Sequence, residues 1–375
     1  VEFCNEFTVQ LSHVMRKILT NKKLLALSVF GLLVIVATAT FVYFKYPGRS
    51  QESAVAVLAV AENTDLGPMP KDLKTLTVLL LGYGGAGHQG GYLTDVLQLV
   101  QVDFEKSQVT LISLPRDLWV QLPNGQAAKI NQAFTLGKDP NNRITSGGQV
   151  AKQMVATATG LKIDYFAAID FVGFQRTIGE NLGSIEVNVQ ETLDDPWYPV
   201  AGKELDACGM SPEKIAQLTA QYSGFELERQ FPCRYEHLRV EPGIHRMEGG
   251  DALKFVRSRH GSSAGDFSRS SRQHAVLEGI KNKLFTLKAL ENAPKFFTEL
   301  SSHIVTDLDV EAVQYLAPAV QNAQSFETKT VTISTDNVLT ASKNVSGQAV
   351  LIPRAGFSNW SELHDFIKSE LGAPQ

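Results

Sequence analysis

The longest apolar run in the chain is Leu24–Phe44, about 21 residues without a charge. As a helix it would be roughly 31 Å long, enough to cross the hydrocarbon core of a bilayer. Arg16, Lys17, Lys22 and Lys23 precede it, and Lys45 and Arg49 follow. That bias predicts a cytoplasmic N-terminus, with everything after about residue 45 outside the cell. A cleaved signal peptide or a buried core helix are the alternatives. A signal peptide usually has a shorter apolar region and a small-residue cleavage site just after it, which favours an uncleaved single-pass anchor in the cell membrane. The expected organisation is therefore a cytoplasmic segment over 1–23, a transmembrane helix over 24–44, and a linker over 45–74 carrying Pro47, Gly48, Pro68 and Pro70. An extracytoplasmic domain would fill 75–375.

From Thr75 the pattern changes to short runs. Leu76–Leu81 is continuously apolar and of strand length, and it ends in a Gly-rich loop, Gly82–Gly91. Val96–Val102 and Val109–Leu114 predict two more strands joined by a turn near Glu105–Ser107. A helix near Ser146–Thr157, a strand at Tyr165–Ile169, a helix at Val172–Asn181 and a strand at Ile185–Val189 follow. Residues 190–243, rich in proline, aromatic and turn residues, read as an excursion from this pattern. Thr328–Ile333 and Ala349–Pro353 predict late strands, and Ser358–Leu371 a closing helix. The sum is an α/β fold, three-layer α/β/α with a mixed central sheet. In such folds sites gather at strand ends, where Gly82–Asp95 and Pro115–Asp117 fall.

Charge singles out one further stretch, Lys254–Gln273 (KFVRSRHGSSAGDFSRSSRQ). It holds five Lys/Arg and one Asp up to Arg272, against a formal net charge of -4 for the whole chain. Asp266 can serve as an N-cap, with Arg269, Arg272 and Gln273 in the first turns of the helix that follows. At about 100° per residue, Arg269 and Gln273 share a face with the stripe Val276, Leu277, Ile280 and Leu284. Ser271, His274, Glu278 and Lys281 fall mostly opposite. Arginines turned toward a packed side need an anionic partner. Two partners fit: carboxylates within the fold, or a bound anion rich in oxygens.

Composition narrows the classes. With 43% hydrophobic and 20% charged residues the chain is globular, and a negative net charge argues against a general nucleic-acid binder. Of three cysteines, Cys208 and Cys233 lie beyond the apolar segment, where an oxidising compartment permits a disulfide. Two unpaired thiols are the alternative. No GxxxxGK[ST], HExxH, CxxC pair or GxSxG occurs, so the usual P-loop, zinc-peptidase and α/β-hydrolase sets are missing. Pro115 ends a strand and turns Arg116 and Asp117 out at the sheet's edge. Lys129-Ile130-Asn131 adds a second cation nearby.

Taken together, LLLG (79–82), Thr94-Asp95, LISLPRDLWV (111–120), KIN (129–131), IDYFAAIDFVGF (163–174), LGSIEVNV (182–189), GGDALKFVRSRH (249–260) and DFSRSSRQ (266–273) resemble one family, the LytR–CpsA–Psr proteins of bacterial envelopes. The resemblance spans about residues 76–285, and an N-terminal anchor also fits it. It implies a transferase that moves a glycosyl phosphate from a polyprenyl diphosphate-linked glycan to a hydroxyl of peptidoglycan or another envelope sugar. It implies that Arg116, Lys129, Arg257, Arg259, Arg269 and Gln273 surround the diphosphate, with Arg272 a neighbouring member of the cluster. Asp95 would hold the divalent metal, Mg²⁺ or Mn²⁺, and the lipid tail would lie in an apolar cavity. On this reading Asp95, Arg116, Arg257, Arg259 and Arg269 are the catalytic set, and no nucleic acid is involved.

The residue types suit the chemistry. Planar guanidinium groups take phosphate oxygens in pairs, and phosphoryl transfer needs positioning and charge neutralisation more than a covalent nucleophile. The chain departs from the family pattern twice. Gly84 stands where many relatives carry a second Asp, and Leu93-Thr94-Asp95 where many have Arg-Ser-Asp. A protein that binds the lipid diphosphate without turning it over, and a hydrolase that releases lipid phosphate to water, are the alternative readings.

Overall fold

Six strands make the central sheet, and three of them are consecutive both in the chain and in the sheet. The computed structural model describes residues 72–87, 90–137, 145–258, 261, 266–286, 293–301 and 303–372. The expected cytoplasmic segment, membrane helix and nearly all of the linker lie outside the described residues, as does Arg259. Among the described residues no helix is long and apolar enough to cross a membrane.

The strands are β1 (Thr75–Tyr83), β2 (Thr94–Asp103), β3 (Gln108–Leu114), β4 (Trp119–Gln121), β5 (Ala127–Lys129), β6 (Tyr165–Asp170) and β7 (Ile185–Val189). They continue with β8 (Leu193–Pro199), β9 (Tyr235–Val240), β10 (Gly243–Met247), β11 (Ile304–Thr306), β12 (Glu327–Thr332), β13 (Leu339–Lys343) and β14 (Ala349–Pro353). The helices are α1 (Ala133–Leu136), α2 (Thr145–Thr159), α3 (Phe171–Arg176), α4 (Pro212–Gln221), α5 (Gly224–Glu228), α6 (Gly249–Arg257), α7 (Asp266–Thr286), α8 (Ala293–Leu300), α9 (Val310–Asn322) and α10 (Ser361–Glu370).

The central sheet has the order β11-β6-β1-β2-β3-β12. β1 runs antiparallel to β2 and parallel to β6, and β3 runs parallel to β12, so the sheet is mixed as the run pattern predicts. Strand alternation divides its two faces. Leu79, Leu81, Leu97, Leu99, Ile112 and Phe166 turn to one side and pack in one buried cluster with Val155 of α2 and Leu363 and Ile367 of α10. Burying each such side chain is worth about 1.5–3 kcal/mol. Leu80, Val96, Gln98, Ala167 and Ile169 turn to the other side, where residues of α3, α6 and α7 enclose a cavity.

A second buried cluster holds the cavity's outer walls. Ile185, Val187 and Val189 of β7 meet Phe255 of α6 and Val276 of α7, and β7 pairs with β10. Between these two strands the chain makes the antiparallel pair β8–β9 and helices α4 and α5. Cys208 and Cys233 are joined in a disulfide there, with Cα atoms 5.6 Å apart. In the chain-entropy model a loop of this length contributes about 3 kcal/mol.

Three local features differ from the sequence expectation. The helix expected over Val172–Asn181 is α-helical only to Arg176 and continues as a π-helix over Thr177–Leu182. The helix expected from Asp266 onward includes Asp266, because α7 begins there. The face of α7 opposite its apolar stripe is not a solvated one. His274 is buried, and Lys281 and Glu278 both reach Thr328 of β12. A helix lying across a sheet beneath further structure is covered on several sides, which a one-stripe reading cannot register.

Candidate functional site: a cationic pocket on an apolar cavity

The cavity has a volume of about 660 Å³, within the range of small-molecule sites. Asp95, Asp170, Arg257, Arg269 and Gln273 line it together with Leu80, Val96, Ile178, Val276 and Ile280. The charged residues are partly exposed, while Ile178 and Val276 are buried. Leu80, Val96 and Ile280 are partly exposed as well, so the lining combines accessible charged groups with a larger apolar surface.

Asp95 owes its position to an irregularity. In the β1–β2 ladder Gly82 pairs with Val96 and Tyr83 with Thr94, which leaves Asp95 as the extra residue of a bulge. Bulges re-aim a side chain relative to the alternation on either side. The Asp95 carboxylate accepts from the Arg116 guanidinium, and its backbone oxygen accepts from Arg269 Nη2 at 3.0 Å. Arg116 also lies 3.6 Å from Asp117, whose carboxylate pairs with Lys129 Nζ at 2.5 Å. The expected residues therefore form a connected row, Lys129–Asp117–Arg116–Asp95–Arg269. Arg116 and Lys129 do not themselves line the cavity; Arg116 reaches it through Asp95.

Arg257 closes α6, where the helix dipole favours a cation. Its guanidinium lies over the Phe171 ring at 4.0 Å, beside Tyr198. Burial raises the Tyr198 hydroxyl above its ordinary range, and Arg257 partly offsets the rise. Arg269 and Gln273 sit one turn apart on α7 and face the cavity with Val276, Leu277 and Ile280, the shared face that their spacing predicts.

Arg272 is placed elsewhere. It is buried, donates from Nε to the Phe255 carbonyl at 2.9 Å and from Nη2 to the Ser258 carbonyl at 2.5 Å, and does not line the cavity. Ser258 in turn donates to the buried carboxylate of Asp195 at 2.6 Å. The last carbonyls of α6 have no partners within the helix. Arg272 satisfies two carbonyls at this end, so it fixes the turn that carries Arg257. Burial first, and then neighbouring Arg269, pull its pKa down to about 10, which leaves it charged at neutral pH.

Two residues escaped the sequence reading. Asp170 ends β6, caps α3 by accepting from Gly173 N at 2.7 Å, and lines the cavity. Gly85 (φ +87°) lies so close that a Cβ there would come within 2.9 Å of the Asp170 carboxylate. A carboxylate at the end of a strand parallel to β1 was the available signal. His274 is the other. Its Nε2 is 2.9 Å from Ser113 Oγ, a bond that ties α7, which bears Arg269, to β3, whose end bears Arg116.

Burial pushes the His274 pKa from 6.5 down to about 4. Between those values the unfolded chain takes up a proton that the folded ring refuses. Stability is therefore expected to fall as pH drops from 6.5 toward 4, by about 3 kcal/mol in all. His274→Gln should lose this share, seen as a smaller stability difference between urea unfolding at pH 7 and at pH 4.5. An unchanged difference would assign the acid sensitivity to other groups.

For a divalent cation the lining offers the carboxylates of Asp95, Asp170 and Asp195. Among the described residues the group of three ligand types close enough to hold an ion is Asp206, Cys208 and Cys233, and its sulfurs are spent in the disulfide. Among the described residues the cavity carries no all-protein cage. Its donors suit Mg²⁺, which usually takes one or two carboxylates and completes its shell with water and substrate phosphate.

Comparison with known proteins gives the chain's relatives. The staphylococcal regulatory protein MsrR (Staphylococcus aureus, strain COL) is 23% identical over 307 residues, covering 81% of this chain and 77% of its own. The polyisoprenyl-teichoic acid–peptidoglycan teichoic acid transferase TagU of Enterococcus faecalis is 25% identical over 244 residues, 64% of each chain. Among solved structures, TagT bound to LI-WTA superposes with a TM-score of 0.51 at 17% identity, covering 83% of this chain and 96% of that one, which establishes a common fold. The LytR_cpsA_psr family model matches residues 41–355, and the chain belongs to the LytR–CpsA–Psr family.

Proposed function

We propose that this protein transfers a glycosyl phosphate from a polyprenyl diphosphate-linked glycan to a hydroxyl of peptidoglycan or another envelope sugar, as the name of its relative TagU describes for teichoic acid. The observation that carries this reading is the shared lining: Arg257, Arg269 and Gln273 border the same cavity as Leu80, Val96, Ile178, Val276 and Ile280. A lipid diphosphate has that combination of charge and grease. In this reading the domain faces outward from the cell membrane, held by the apolar segment 24–44.

Arg257 and Arg269 bind the diphosphate oxygens and hold the phosphorus for attack. Arg257 is braced by Phe171 below and by the Arg272 clamp behind. Asp95 keeps Arg116 beside the site. The acceptor oxygen bonds to the glycan-bearing phosphorus as the bond from that phosphorus to the bridging oxygen breaks. Polyprenyl phosphate leaves with the electron pair, and the hydroxyl proton is released. The arginines stabilise charge that grows on the leaving phosphate. Asp95 would hold Mg²⁺ or Mn²⁺, with Asp170 in the same lining; when bound, the ion neutralises diphosphate charge. Arg259, outside the described residues, is the remaining cation of the proposed set.

The test is transfer by the full chain in detergent, with lipid-linked glycan as donor, peptidoglycan as acceptor, and Mg²⁺ present or chelated. Glycan appearing on peptidoglycan only with metal supports the reading. Polyprenyl phosphate released equally without acceptor would make the protein a hydrolase. Bound but unconverted donor would make it a carrier, the outcome that Gly84 in place of a second Asp favours.

A further inference from the structure

Besides Gln273, the cavity lining holds one further amide. Gln98 lies on β2 three residues beyond Asp95, about 10 Å further along the strand at its usual rise. It is 1% exposed and lines the cavity, yet neither its Oε1 nor its Nε2 meets a hydrogen-bond partner among the described residues. On the helical wall Thr177, the first residue of the π-helix, also lines the cavity, and its buried Oγ1 has no partner among the described residues. π-Helical turns are frequent at functional sites. Leu80, Val96, Ala167 and Val276 complete this part of the lining. A buried carboxamide without partners is costly. Leu or Met would fill the same strand position without that cost.

We propose that Gln98 and Thr177 form a polar subsite that holds water in the inner cavity, and that the cost of stripping this water sets how far a prenyl chain enters and hence which chain lengths bind well. The inference rests on reading the cavity as a prenyl diphosphate site. The amide offers a donor and an acceptor, and the hydroxyl can do either. A buried water needs two to four such partners. Hydrocarbon that displaces it reproduces none of these bonds and loses affinity. A prenyl chain too short to reach Gln98 escapes the cost.

The test measures binding of dimethylallyl diphosphate, with one isoprene unit, and geranylgeranyl diphosphate, with four, to the full chain in detergent. Gln98→Met keeps the side chain's length and removes the amide. It should bind the long ligand about tenfold tighter than the unaltered protein does and leave the short one unchanged. Thr177→Val should act in the same direction, more weakly, and guards against a folding defect at position 98. Equal tightening for both ligands, or none, overturns the proposal. Weaker binding of the long ligand also overturns it, because the amide would then be touching the lipid itself. Should the unaltered protein bind neither ligand, the prenyl reading of the cavity fails. The subsite is then judged by a high-resolution structure of the ligand-free chain. Water within hydrogen-bond distance of Gln98 sustains the subsite, and an amide turned onto a protein group removes it.

Discussion

Replacing Arg269 by alanine is expected to lower the transfer rate roughly 100- to 1,000-fold, the usual loss when one fixed donor to developing charge is removed. Arg269 faces the cavity beside Gln273 and is held to the Asp95 backbone at 3.0 Å, so its guanidinium is positioned before substrate arrives. Arg269→Lys should recover little, because an ammonium cannot take two phosphate oxygens in one plane. Folding should survive, since the hydrophobic contacts of α7 are made by Val276, Ile280 and Leu284. Arg257→Ala should behave alike, with the stacked Phe171 left in place. Single-turnover rates with saturating donor, read beside a thermal unfolding midpoint, separate loss of chemistry from loss of fold. A rate within threefold of the unaltered protein, on the order of 0.7 kcal/mol, would remove Arg269 from the site.

Asp95→Asn is the second substitution with a large expected effect. It keeps the bulge and the size of the side chain, removes the negative charge that pairs with Arg116, and withdraws the proposed metal ligand. The transfer rate should again fall at least 100-fold. Mn²⁺ binding to the lipid-loaded protein, followed by electron paramagnetic resonance, should weaken at the same time. Retained Mn²⁺ affinity would move the metal to Asp170. Retained activity would remove Asp95 from the catalytic set.

How far residues foretell structure depends on whether the signal is periodic. The strands β1, β3, β6 and β7 follow from apolar runs, and the shared face of Arg269, Gln273 and Val276 follows from helical spacing, because regular backbone repeats its geometry. The Cys208–Cys233 bridge is one of the two alternatives that the cysteine positions leave open. Irregular features have no period to reveal them. The bulge that aims Asp95 depends on a ladder slip between β1 and β2. The π-helix after Arg176 depends on tertiary packing. Arg269 and Arg272 are three residues apart on one helix, about 60° around its axis, yet one faces the cavity and the other clamps the end of α6. Their spacing and type are the same signal; what separates them is which carbonyls stand nearby. Asp170 was hidden differently, as one more polar residue where a strand stops.

In the proposed complex, arginines from two helices meet one lipid diphosphate in a largely apolar cavity. Mass spectrometry of lipid extracted from the detergent-purified protein addresses it most directly. A polyprenyl phosphate or diphosphate should accompany the unaltered protein and be largely missing from the Arg257→Ala, Arg269→Ala double variant. Phospholipid alone in both, or prenyl lipid retained in full by the double variant, would contradict the claim.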